Sequence, residues 1–127
     1  MDRFIVNGYL WKVHTVNPSS HYLVDRTGTL TAATTDPATL CVYLSADLQG
    51  DFKKRVLAHE LGHVFCFSYH LLEEIHACCY PDRAIEMEEF ICNFVADYAE
   101  SIFSITYRIL GDEALNLVPR YLERLVA

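Results

Sequence analysis

Long apolar runs are missing from this sequence, and no window approaches the roughly 20 consecutive apolar residues that a membrane-spanning helix requires. Positive charge is scarce as well. Ten Lys and Arg against 17 Asp and Glu leave a formal charge of −7, and the densest basic run is Lys53-Lys54-Arg55. Such a surface repels a phosphate backbone, so nucleic acid is not an expected partner. Glycine and proline are few, five and four in 127 residues, which excludes collagen-like and low-complexity architectures. The five cysteines, Cys41, Cys66, Cys78, Cys79 and Cys92, are odd in number and lack the even spacing of a secreted disulfide framework. Met1-Asp2-Arg3-Phe4 leads into an alternating segment and not into the apolar core of a signal peptide. A cytoplasmic protein with reduced thiols and no membrane partner is expected.

What is present is a core. Apolar residues make up 52 % of the chain, enough for one domain over residues 1–127 but too little chain for two ordinary ones. Arg3 to Val6 and Tyr9 to Val16 alternate around Asn7-Gly8, the pair that supplies both positive-φ positions of a type I′ turn, and predict a β-hairpin. Thr29 to Thr34 and Thr39 to Ser45, separated by Asp36-Pro37, read as two more strands. From about Asp51 the period becomes helical. Phe52, Val56, Leu57, Leu61, Val64, Phe65 and Phe67 leave little polar face, so this helix is expected to be mostly buried. Tyr69 to Tyr80 reads as a connection with room for one short helix. A long helix is predicted from Arg83 to Leu110, stopped by Gly111, followed by an amphipathic helix capped by Asp112 and containing Ala114, Leu115, Leu117, Tyr121, Leu122 and Leu125, with Pro119 able to kink it. The fold class is α+β: a small antiparallel N-terminal sheet, then three main helices.

Within the buried helix stands His59-Glu60-Leu61-Gly62-His63, an H-E-x-x-H pattern. At about 100° and 1.5 Å per residue the histidines lie about 40° apart on one face and about 6 Å apart in rise, so both imidazoles can converge on one ion. Glu60, about 100° from His59, can reach a water on that ion and act as general base. The flanking Val56-Leu57-Ala58 and Val64-Phe65-Cys66-Phe67 would bury these polar groups at about 1 to 3 kcal/mol each if nothing satisfied them. A third histidine ten residues after the first is absent, since that position is Tyr69 and His70 comes one residue late. The long helix offers Glu89, with Glu88 and Glu86 as rivals. On a helical wheel Glu89, Asn93 and Ala96 share one stripe, opposite an apolar face of Phe90, Ile91, Phe94, Val95, Tyr98 and Ile102. His14, His21 and His76 have no spacing partner. His70 and Cys66 fall near the face of His59 and His63, and Cys78-Cys79 chelates poorly.

On these motifs the chain resembles the gluzincin metallopeptidases, the thermolysin-like group, whose third ligand is a glutamate on a later helix in an E-x-x-x-D pattern. Glu89 matches that glutamate, and Asn93 stands where the aspartate orients the first histidine. The layout from Thr39 to Ile102 is similar to miniature gluzincins and to the ImmA/IrrE-like proteins of phages, prophages and bacteria, although the E-A-N-x-F-A signature of the latter is absent. The resemblance implies a minimal zincin-like fold and a Zn²⁺ ion held by His59, His63 and Glu89. It also implies a hydrolase in which Glu60 is the catalytic base for cleavage of a peptide or protein substrate. The strand before the metal helix, with Leu40, Cys41, Val42, Tyr43 and Leu44, would bind the extended substrate. Tyr69, His70, His76, Tyr98 and Tyr107 are open choices for stabilising the oxyanion. The alternative is a catalytically weak or inactive zincin-like binding or regulatory protein with a structural zinc.

Overall fold

The computed structural model describes residues 2–116, and the strands and helices follow from a few local rules. Strands β1 (Asp2–Val6) and β2 (Tyr9–Val16) form the hairpin, with Asn7 at φ 48° and Gly8 at φ 82° as the I′ turn demands. Strand β3 (Ala33–Asp36) starts later than its sequence suggests. The Asp25 carboxylate accepts hydrogen bonds from the amides of Thr27 and Thr29, and Gly28 takes φ 83°, so Asp25 to Thr29 closes a tight turn instead of extending. Strand β4 (Cys41–Ser45) follows, then helices α1 (Gly50–Ser68), α2 (Leu71–Cys78) and α3 (Ala84–Leu110).

The fold is α+β, but the sheet is mixed, in the order β1-β2-β4-β3. β2 and β4 run parallel, Lys12 beside Cys41 through Val16 beside Ser45, while both outer pairs are antiparallel. The wholly antiparallel sheet expected from the hairpin is therefore corrected. The chain between Asn17 and Leu40 crosses over instead of turning back, which no local pattern in β4 reveals. β4, buried throughout, has both edges paired; β3 forms one end of the sheet.

Trp11, Val42, Leu44 and Val64 join α1 to the sheet in the main core. The Trp11 indole donates to Ser68 Oγ at 2.9 Å and the Asn7 amide to the Ser68 carbonyl at 2.8 Å, pinning the end of α1 to the hairpin. A second cluster, Cys66, Ile75 and Ala84, binds α1 to α2 and the start of α3. Burial of α1 is confined to its second half; Phe52 and Phe65 stay exposed. Part of the apolar wheel face of α3 is likewise turned outward: Phe90 is 66 % exposed and Phe94 is exposed, while Ile91 packs on the second cluster and Glu88 and Cys92 are buried. The inward stripe is the one that carries Glu88, not the phenylalanines, because the carboxylate finds charged partners inside.

Gly62 makes this possible. A methyl placed on it would sit 3.1 Å from Cys92 Cα and Sγ, so α1 and α3 approach backbone to backbone at that point. Gly62→Ala is therefore expected to lower stability by about 1–3 kcal/mol through overpacking, read as a fall in the midpoint of chemical denaturation of the metal-free protein.

Two compact units divide the chain, Met1–Asp97 and Tyr98–Ala127. The first holds the sheet, α1, α2 and the start of α3. In the second α3 ends at Gly111, φ 64°, and Gly111–Leu115 forms a 3-10 helix in place of the start of the amphipathic helix expected from Asp112. Leu117, Pro119, Tyr121, Leu122 and Leu125 lie outside the described residues. No described helix is long and apolar enough to cross a membrane.

Candidate metal centre

Helix α1 presents His59, Glu60 and His63 to a cleft of about 810 Å³, and α3 presents Glu88, Glu89 and Asn93 to it from the facing side. The two imidazole Nε2 atoms are 3.2 Å apart. Glu89 reaches His59 Nε2 with Oε2 at 3.1 Å and His63 Nε2 with Oε1 at 3.3 Å. One ligand atom from each of His59, His63 and Glu89 lies within 4.8 Å of the others. A tetrahedral zinc with bonds of about 2.0–2.1 Å has ligand-to-ligand edges of about 3.3–3.4 Å; the separation of 3.2 Å between the two Nε2 atoms matches such an edge, and the Glu89 carboxylate places one oxygen beside each ring.

The far side of each ring is also committed. His59 Nδ1 donates to Asn93 Oδ1 at 2.9 Å, and His63 Nδ1 donates to Glu88 Oε2 at 2.6 Å. With both Nδ1 atoms used as donors, both Nε2 atoms are free to act as ligands. Asn93 thus sits beside His59. Glu88 is not a third ligand; it is the partner of the second histidine, and its other contact is Arg26, whose Nη2 is 2.8 Å from Oε2. Glu86 pairs with exposed Arg83 at 2.8 Å, outside the cluster.

The charges of the cluster hold one another. The hydrogen bond that His59 donates to the Glu89 carboxylate raises the His59 pKa against a smaller opposing effect of burial. Burial works against a charged His63, yet the carboxylates of Glu88 and Glu89 outweigh it and raise its pKa to about 9. Hydrogen bonds from both histidines hold Glu89 well below the usual carboxylate range. This is the electrostatics of a site that accepts a cation: two carboxylates favour positive charge on the imidazoles between them, and a metal ion would take the place of those protons.

Glu60 is 6 % exposed and lines the same cleft. Burial raises its pKa, opposed by a 2.5 Å hydrogen bond from the Thr35 hydroxyl to Oε2. Thr35 lies on β3, which with Ala33, Thr34 and Asp36 forms the cleft rim. The strand offered by the sequence for substrate pairing, Leu40 to Leu44, is not at the rim. Its main-chain groups are used by β2 and β3, and of its side chains only Tyr43 lines the cleft, stacked on Tyr22 at 4.5 Å between ring centres. Tyr69, His70 and His76 lie outside the lining, with His70 against the Tyr9 hydroxyl, and Tyr98 and Tyr107 belong to the second unit. Cys66 is buried beside Cys92 and does not line the cleft.

Thr35, Arg26 and the His63 role of Glu88 had no signal in the sequence: each depends on a partner 25 or more residues away. No protein-family model matches the chain, and no curated protein matches it.

Proposed function

We propose that this chain is a zinc-dependent peptidase of minimal zincin-like fold, its ion held by His59, His63 and Glu89. The observation that carries the reading is the convergence of two histidine Nε2 atoms and a carboxylate within 4.8 Å of one another, with each Nδ1 already bonded and Glu60 facing the same cleft. Zinc held there would supply Lewis acidity, polarising a carbonyl and acidifying a water molecule. Glu60 is placed to take a proton at its carboxylate from a water whose oxygen would bond to the peptide carbonyl carbon, and to return that proton to the amine nitrogen as the C–N bond breaks. Its desolvated, upward-shifted carboxyl suits both steps, and Thr35 fixes its orientation. The edge of β3, an end strand of the sheet, supports main-chain pairing with an extended peptide, and Tyr22 with Tyr43 gives the cleft an aromatic wall.

The test is hydrolysis of a mixed peptide library by zinc-loaded protein. Cleavage that disappears with a chelator and returns with zinc is the expected result. Stoichiometric zinc with no cleavage of any peptide would overturn the enzymatic part and leave a zinc-stabilised binding or regulatory domain.

A further inference from the structure

Arg26 stands against Glu88 and Glu89, 62 residues from Glu88 in sequence, on a loop built to hold it. The Asp25 side chain closes that loop through Thr27 and Thr29, and the Asp25 amide donates to the Thr29 carbonyl at 2.9 Å. Leu23, wholly buried with Cys41 and Tyr43, anchors its base. From this support the guanidinium grips Glu88 with both prongs, Nη1 to Oε1 at 3.3 Å and Nη2 to Oε2 at 2.8 Å, and Nη2 is also 3.4 Å from Glu89 Oε1. Glu88 Oε2 is in turn the acceptor for His63 Nδ1. Glu88 is 2 % exposed, so these partners, and not solvent, orient its carboxylate.

We infer that Arg26 and Glu88 are positioning residues of the metal centre, acting together through His63; the inference rests on the zinc reading above. A carboxylate at Nδ1 keeps the proton on that nitrogen and the lone pair of Nε2 turned toward the ion. A free glutamate could rotate or be drawn toward the cation itself, since it neighbours the ligand Glu89. The two-pronged clamp prevents both, which a single ammonium would do less well.

The sign of one effect separates this from simple electrostatics. Arg26 is a cation close to the cluster, and by Coulomb's law alone its removal tightens zinc binding. Positioning demands the reverse. Zinc affinity is measured by competition with a chromophoric chelator for wild type, Arg26→Ala, Arg26→Lys, Glu88→Gln and Arg55→Ala. Arg55 also lines the cleft but pairs with Asp97, so it controls for loss of a nearby positive charge. Arg26→Ala and Glu88→Gln are expected to bind zinc about 10–100-fold more weakly, the usual range for such outer partners. Arg26→Lys falls between wild type and Arg26→Ala, and Arg55→Ala binds as wild type or tighter. Circular dichroism of the metal-free variants checks that the fold is intact, and Arg26→Lys carries the test if Arg26→Ala does not fold. Unchanged or tighter binding by Arg26→Ala, or by Arg26→Lys in its place, with wild type binding zinc, overturns this inference alone. Absence of zinc from wild type overturns the metal reading and this one with it.

Discussion

Glu60→Gln is expected to hold zinc as tightly as wild type while losing peptide hydrolysis by about 10²–10⁴-fold, the usual contribution of a positioned general base. Glutamine keeps the size and an oxygen to accept from the Thr35 hydroxyl, so the wall of the cleft is preserved. What it loses is the ability to take up and return a proton. Because Glu60 is not within the cluster formed by His59, His63 and Glu89, the ion's own contacts are untouched. Parallel measurement of kcat on a cleaved library peptide and of bound zinc separates the two properties. A variant that kept wild-type kcat would remove Glu60 from the chemistry.

Glu89→Ala carries the second large effect. Its carboxylate bridges the two histidines at 3.1 and 3.3 Å, one oxygen to each, so its loss removes a ligand and the negative charge that favours any cation there. Zinc affinity should fall by more than about 100-fold, beyond the range for outer partners such as Asn93 or Glu88. Histidines left without this counter-charge would also titrate lower, because the hydrogen bond donated to Glu89 is the main cause of the raised pKa at His59. Competition titration checks the first statement and NMR titration of the metal-free imidazoles the second. An affinity loss no larger than that of Glu88→Gln would transfer the ligand role away from Glu89.

Local chemistry made part of this structure legible in advance. Asn7-Gly8 sits at the hairpin turn, β2 begins at Tyr9 and ends at Val16, and α3 ends at Leu110 before Gly111, because each depends on residues adjacent in sequence. His59, Glu60 and His63 share a helix face for the same reason, and the structure brings Glu89 and Asn93 to them. What failed depended on distant partners. The parallel β2–β4 pairing follows from a crossover, so β4 became central and β3 took the rim. On α3 apolar content alone does not mark the inward face. Glu88 is inside, compensated by His63 and Arg26, while Phe90 and Phe94 are outside. Gly62 lay within the motif all along, but its service as the point where α1 meets Cys92 needs the second helix to be visible.

Zinc content of the untagged wild-type protein, measured by elemental analysis after gel filtration, tests the central claim most directly. About one zinc per chain is expected, as for a site of three protein ligands with an open position, with little in Glu89→Ala purified alongside. A wild-type protein that retained no zinc even after incubation with the metal would contradict the account, and would leave His59, His63 and Glu89 as a charged cluster that holds only itself together.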